Sequence, residues 1–123
     1  TYSLQSLGFD PWLADNFAAE LYTRHSIPVI KCVQNLSTLA EPSRELEKLL
    51  VSKALIHDGN PVLAWNLDNT QIYRDTNNNY RPHKGKSKGK IDGIMATVIA
   101  IYAMLEHEKE NPSFDIGNMI SFI

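Results

Sequence analysis

Four lysines at every second position lead into one aspartate, and these are the residues best suited to chemistry. They are Lys84, Lys86, Lys88, Lys90 and Asp92. Lysine ammonium groups neutralise the phosphates of a nucleic-acid backbone and give affinity without reading the bases. A carboxylate offers the oxygen ligands that hard divalent cations prefer. The pattern therefore indicates cation or phosphate chemistry at this point of the chain.

Asp92 precedes the most hydrophobic segment of the sequence. In the run Ile94–Leu105, eleven of the twelve residues are apolar and Thr97 is the exception. Such a helix is expected to be buried on nearly all sides, and it is too short for a bilayer, which takes about 20 apolar residues. We therefore predict a rigid, buried helix that carries a carboxylate at its start. A flexible cationic segment, residues 84–90, lies beside it, and we refer to this range as the lysine segment.

A second acid, Asp10, stands before Pro11 where a predicted strand meets a predicted helix. Site residues of open α/β sheets usually lie at such junctions. In two-metal hydrolysis, ions about 3.5–4 Å apart stabilise the attacking and leaving oxygens of a phosphodiester. Asp10 and Asp92 are thus the candidate catalytic residues and metal ligands, provided that folding brings them together. Sites of this kind usually need a third carboxylate, and spacing alone does not identify it.

Each of these features also has a purely structural interpretation. The lysine segment could be a solvated loop. Asp92 could favour the positive end of its helix by about 0.3–1 kcal/mol, and Asp10 could be an N-cap worth about 1 kcal/mol. His83 borders the lysine segment and is a possible accessory residue, whereas the other histidines are predicted to lie at the surface or in turns.

Gly85-Lys86-Ser87 invites comparison with a nucleotide-binding loop, but that loop needs a glycine at the position of Tyr80. This interpretation is rejected. Trp12 and Trp65 are predicted to lie in the core.

Size and composition indicate one globular domain. The chain has 123 residues, a formal net charge of −2 and a single cysteine, Cys32. The charge excludes a protein whose whole surface is basic, so any nucleic-acid contact must use a local patch. One cysteine excludes an internal disulfide, and we predict an inert core thiol. No signal peptide is evident, and the start at Thr1 suggests a piece of a longer polypeptide.

Predicted strands and helices alternate along the chain, as in a layered α/β domain. The first half is predicted to contain a strand over 2–9, a helix over 11–24, a strand over 27–33, a linker over 34–40 and a helix that opens at Glu41-Pro42. The second half is predicted to contain a turn over 57–61, a short helix over 61–67 anchored by Trp65, and a hairpin with strands at 70–74 and 80–81. The long helix follows and ends at Asn111-Pro112. Asp68 and Asp75 are predicted turn residues beside the hairpin.

Three blocks of the sequence resemble the C-terminal part of the large terminase subunit of tailed bacteriophages. They are Leu7–Trp12, His57–Asn69 and Lys84–Ala96. The blocks occur in this order and at this spacing, and the resemblance extends from about Leu7 to Leu105. The whole chain, 1–123, would then be part of a terminase nuclease domain, with the tail 111–123 as a possible separate contact segment.

The resemblance implies an RNase H-like mixed sheet flanked by helices, lacking its first strand or strands. It implies a metal-dependent endonuclease that cuts concatemeric double-stranded DNA with two Mg²⁺ or Mn²⁺ ions. Asp10 and Asp92 match two acids of the family, and a further aspartate is expected upstream of Thr1. Lys84, Lys86, Lys88 and Lys90 would hold the DNA backbone.

The resemblance also implies partners and a location. The expected partners are double-stranded DNA, the terminase ATPase domain, the small terminase subunit and the portal, without a membrane. The expected location is the cytoplasm of the bacterial host. The alternative from another class is a non-catalytic docking or DNA-binding module of the packaging motor, in which the acids are helix caps.

Overall fold

The computed structural model describes residues 2–12 and 14–112. Helices and short strands alternate along this part of the chain. The elements are β1 (Leu7–Phe9), α1 (Asp15–His25), β2 (Val29–Lys31), α2 (Leu36–Val51), α3 (Pro61–Asn69), β3 (Ile72–Arg74), β4 (Tyr80–Pro82), a 3₁₀ turn (Lys84–Lys86) and α4 (Asp92–Glu110).

The strands form two separate pairs. β1 and β2 are parallel, with Gly8 opposite Ile30, and β3 and β4 form an antiparallel hairpin, with Tyr73 opposite Arg81. The α/β class is therefore confirmed, but in the described residues a single mixed sheet is not formed. The hairpin packs on α2 instead. Pro82 has no N–H to donate, but the pairing continues by one more bond, from His83 N–H to Gln71 O at 2.8 Å.

The core lies between α2 and α4. Their buried side chains form one cluster, to which Leu39, Leu46 and Leu49 of α2 belong. On α4 the buried positions include Ile94, Val98 and Ile101. The prediction of a helix buried on nearly all sides is only partly right, because Asp92 and the small residues Ala96 and Ala100 face solvent. α4 nevertheless begins at Asp92 and ends before Asn111-Pro112, as predicted.

Helix α2 begins earlier than predicted. The linker over 34–40 and the start at Glu41-Pro42 are wrong, because Asn35 caps the helix by accepting a hydrogen bond from Thr38 N–H at 2.9 Å. Pro42 lies inside the helix, where its missing N–H leaves one backbone carbonyl of the preceding turn without its usual donor. Its ring is fully buried in the core. A proline therefore serves here as a packing residue and not as a start signal.

Helix α1 is shorter and more exposed than predicted. Asp10 is not its N-cap: the carboxylate accepts a hydrogen bond from Trp12 N–H at 3.1 Å, within a turn that precedes the helix. Trp12 is 79% exposed and Phe17 63%, so the prediction that Trp12 lies in the core is wrong. Among the strands and helices, α1 packs mainly on β2. A two-stranded sheet is too narrow to cover its apolar side.

The sequence correctly predicted the start of α3 and the turn of the hairpin. Asn60 caps α3 with Pro61 in the first turn, and Asp75 accepts hydrogen bonds from the backbone of the hairpin turn. Asp68, by contrast, lies inside α3 and not in a turn. Trp65 is 50% exposed and does not anchor α3, whose packed apolar side chain on the core is Leu63. The part of the tail from 113 to 123 lies outside the described residues.

In the described part of the chain, none of the helices is long and apolar enough to span a bilayer.

Cys32, just after β2, is buried as predicted, with no exposed surface. Burial, assisted by the negative charge of Asp10, raises the pKa of its thiol from 9.0 to about 11. The folded state therefore holds the proton more tightly than the unfolded chain does.

This raised pKa predicts a pH-dependent loss of stability. The thiol contributes its full stabilisation below about pH 9, and the contribution is lost as pH rises towards 11, amounting to about 2–3 kcal/mol. In urea unfolding between pH 8.5 and 11, Cys32→Ala should show a shallower decline in the free energy of unfolding than the parent. Val98→Ala, at an equally buried site that does not titrate, should lower stability by a similar amount at every pH. Parallel curves for the parent and Cys32→Ala would contradict the raised pKa.

Candidate functional site

Asp92, the first residue of α4, presents its carboxylate to solvent. Its side chain is 71% exposed, and its Oδ1 lies 3.5 Å from Nζ of Lys84, which is 60% exposed. An ion pair this exposed contributes about 0–1 kcal/mol to stability. The carboxylate is thus accessible, and Lys84 holds it only weakly.

The backbone at the start of α4 is fixed by α3. Asn66, which is 4% exposed, accepts a hydrogen bond from Gly93 N–H at 2.7 Å and donates one to Val62 O at 3.0 Å. A Cβ at Gly93 would lie 3.1 Å from a methyl of Leu63 and 3.2 Å from the Asn66 amide. The close approach of the two helices therefore requires a small residue next to Asp92.

The lysine segment is hydrogen-bonded to residues at and just after the end of α3. Asn69 donates a side-chain hydrogen bond to Lys90 O at 3.0 Å and accepts one at its own carbonyl from Lys88 N–H at 3.1 Å. Ser87 accepts a hydrogen bond from Gln71 N–H at 3.1 Å. The side chains of all four lysines remain exposed. The segment thus presents its charges from a backbone in a defined position.

His83 has a structural part in this arrangement. Its Nδ1 accepts a hydrogen bond from Lys86 N–H at 3.0 Å, which caps the 3₁₀ turn, and its carbonyl accepts one from Ser87 at 2.7 Å. Its ring centre lies 6.2 Å from that of Tyr73. A direct accessory role for His83 stays a prediction.

Two cavities flank Asp92. One, of about 470 Å³, is lined by Trp65, Lys84 and Lys90 among others, and the second, of about 500 Å³, adds Asp58. Both cavities are lined by Trp65, Lys90 and Asp92. We call the two together the Asp92 groove. Sequence reasoning missed Asp58, and it placed Trp65 in the core, so neither had been linked to the site.

Asp10 follows a strand that packs on another stretch of α4. That strand is β1, whose Gly8 packs so closely on the helix that an added Cβ would lie 2.8 Å from Ile99 O. Ile99 is seven residues beyond Asp92, or roughly 10 Å along the helix axis. The Asp10 carboxylate accepts a hydrogen bond from Gln34 at 2.6 Å. Each acid thus has its own partners, and a metal ion shared by the two stays a prediction.

The described residues do not by themselves form a metal site. Within 2–12 and 14–112, there is no group of three or more histidine, cysteine, aspartate or glutamate side chains that could hold a metal ion. The exposed oxygens of Asp92 do suit a hard cation such as Mg²⁺ or Mn²⁺. A complete set of ligands would need acids beyond those gathered in this part of the chain.

The family model for the endonuclease domain of the terminase large subunit matches residues 1–108. The chain belongs to this family. The resemblance seen in the three sequence blocks is therefore confirmed, and the chain carries a terminase endonuclease domain sequence over most of its length.

Comparisons with individual proteins support the same family. The chain is 30% identical to Protein YmfN of Escherichia coli (strain K12), over 86% of this chain and 24% of that protein. It is 27% identical to the terminase large subunit of Enterobacteria phage HK97, over 83% of this chain and 20% of that protein. The crystal structure of the HK97 large terminase superposes with a TM-score of 0.74, covering 83% of this chain and 22% of that one. The chain spans about a quarter or less of these relatives.

The contact between Asn66 and Gly93 predicts that Asn66→Ala destabilises this terminase domain. The substitution leaves a helix N–H without its acceptor, which costs about 1–2 kcal/mol. Urea unfolding followed by circular dichroism measures the loss. Asn111→Ala, at the exposed opposite end of α4, is the matched control and should change stability by about 0.5 kcal/mol or less. Equal losses in the two variants would show that Asn66 does not hold the start of α4.

Proposed function

We propose that this chain is part of a metal-dependent endonuclease of a phage DNA-packaging terminase, which cuts concatemeric double-stranded DNA by two-metal phosphodiester hydrolysis. The supporting observation is the exposed Asp92 carboxylate, held at the start of α4 beside four exposed lysines. Membership of the terminase endonuclease family supports this choice of substrate and reaction.

In this proposal Asp92 and Asp10 are the metal ligands and catalytic acids. Mg²⁺ or Mn²⁺ ions would stabilise the attacking and leaving oxygens of the phosphodiester. Rigid placement of Asp92 through Gly93 and Asn66 limits the reorganisation that ligand binding requires. A third acid would have to come from outside the described residues.

The lysines have the task of holding the DNA backbone. The chain as a whole carries a formal charge of −2, so the attraction must be local. Lys86 and Lys88 form no ion pair among the described residues and are the most available to phosphate, whereas Lys84 is shared with Asp92. Lys90 lines the Asp92 groove and would guide the strand towards the acid.

The wider setting of the protein is part of the same proposal. The sheet of β1 and β2 would extend into an RNase H-like mixed sheet within a longer polypeptide, of which the chain would be the C-terminal part. The partners would be the terminase ATPase domain, the small terminase subunit and the portal, and the site of action the cytoplasm of the bacterial host.

A second candidate function is docking without catalysis. Three exposed aromatic residues in and just before α1 favour it, namely Trp12, Phe17 and Tyr22, because large exposed apolar side chains often mark contacts between proteins or domains. A calorimetric Mn²⁺ titration of the full-length terminase separates the two functions. Binding heat that disappears in Asp10→Asn supports the nuclease, and an absence of saturable binding supports the docking module.

Replacement of Asp92 tests the catalytic proposal. Asp92→Asn in the full-length terminase should lower Mn²⁺-dependent cleavage of plasmid DNA by more than about 100-fold. A residue that only hydrogen-bonds to a metal ligand typically costs up to about 100-fold in activity when it is replaced, so a direct ligand should cost more. Folding should survive, since the Asp92 side chain is exposed and its ion pair is weak. Asp68→Asn, at an exposed acid on α3, is the control and should cleave like the parent. Undiminished cleavage by Asp92→Asn would refute the assignment.

The salt dependence of DNA binding tests the lysine segment. Each lost lysine–phosphate contact lowers the slope of log affinity against log salt concentration by about 0.9. The double variant Lys86→Ala/Lys88→Ala should therefore reduce the slope by about 1.8 for a DNA duplex, measured by fluorescence anisotropy without divalent ions. Lys48→Ala, on the outer side of α2, should leave it unchanged. An unaltered slope in the double variant would mean that the segment is a solvated loop.

A further inference from the structure

Trp65 is in an unusual position for a tryptophan in a small domain. Half of its surface is exposed, although it lies in α3 between the core residue Leu63 and the buried Asn66. None of the hydrogen bonds among the described residues involves its indole N–H. Trp65 lines both cavities of the groove, as Asp92 does, and it is the one aromatic residue among the described residues that line them.

The surroundings of the indole are polar and carry charges of both signs, since Lys90 and Asp92 line both cavities. Towards the lysine segment, Trp65 shares its cavity with Lys84 and Lys90. Towards the other side lies a tight turn, in which Asp58 accepts a hydrogen bond from Asn60 N–H at 3.0 Å. A protein partner that buried Trp65 would also have to desolvate these charged groups, which is costly unless each is paired. A nucleotide instead presents one flat apolar ring to the indole, and it leaves these charged groups in contact with water.

We propose that Trp65 is a stacking platform for an unpaired nucleobase, and that the Asp92 groove takes a single-stranded nucleotide next to the phosphates held by the lysine segment. This inference rests on the proposed function, which supplies DNA as the ligand. Every base has a π-face, so an exposed indole beside cations binds single strands with little regard to sequence.

The ligand is an unpaired base and not an intact duplex for a steric reason. Inside a duplex both faces of each base are covered by its neighbours, so an indole can stack on an internal base only where the helix has been opened. Cavities of about 470 Å³ and 500 Å³ on either side of Asp92 leave room for a base against Trp65. Single-stranded ends, which a staggered cut creates, would provide such bases.

A fluorescence titration tests the proposal directly. The chain has two tryptophans, so Trp12→Phe leaves Trp65 as the sole indole. This variant is titrated in EDTA with three oligonucleotides: a flush duplex, the same duplex with an unpaired tail, and the tailed duplex with abasic sites in the tail. The tailed duplex should quench the Trp65 emission and shield it from acrylamide, and the abasic tail should do neither.

Affinity provides the second readout. Trp65→Ala should weaken binding of the tailed duplex at least about fivefold, while binding of the flush duplex stays the same. Trp65→Tyr should keep most of the preference for the tail, because tyrosine also stacks. Tyr22→Ala, which removes a comparably exposed aromatic ring on α1, should bind both duplexes like the parent. Circular dichroism confirms that each variant is folded.

Three results would overturn the inference: Trp65 emission that does not change when the tailed duplex saturates the protein, equal losses for flush and tailed duplexes in Trp65→Ala, or no binding of any oligonucleotide. Because EDTA prevents cleavage, the titration reports on stacking alone. The nuclease proposal fails separately, if Asp92→Asn in the full-length terminase cleaves DNA like the parent.

Discussion

Two buried amide side chains on α3 hold the start of α4 and the lysine segment in place. Asn66 binds the first turn of α4 through Gly93 N–H, and Asn69 binds the lysine segment through Lys90 O. Both asparagines are less than a tenth exposed. A buried amide that lost its partner would cost about 1–3 kcal/mol. This cost holds the acid-bearing helix and the cationic loop in one geometry relative to each other.

Because the backbone is held by α3, the charged side chains do not have to stabilise the fold. Asp92 and its neighbouring lysines are exposed, and the one ion pair between them is of the weak surface type. Charges that are free of structural tasks can change partners at little cost. These charges lie on a loop and at a helix terminus, whereas the core that α2 and α4 form in the described residues contains no buried charged side chain.

Sequence reasoning succeeded where the signal was local. The start of α4 at Asp92, its end at Asn111, the hairpin and the Asn60 cap each depend on a few adjacent residues. It failed where the answer depended on distant neighbours. An apolar residue type does not reveal whether another element covers it, so Trp12 and Trp65 were placed in the core. Pro42 has the same local signature at a helix start and inside a buried helix, and no spacing rule reports the contact between Asn66 and Gly93.

The pair of Lys84 and Asp92 connects the two halves of the proposed chemistry. The ammonium group lies 3.5 Å from the carboxylate and thus occupies part of the space that a divalent ion would take. An ion bound to Asp92 would repel Lys84 and direct it to the nearest anion, which on bound DNA is a backbone phosphate. Phosphates that attract Lys84 would in turn expose Asp92 to the ion. Metal binding would then raise the affinity for DNA. By thermodynamic linkage, DNA binding would raise the affinity for the metal by the same factor.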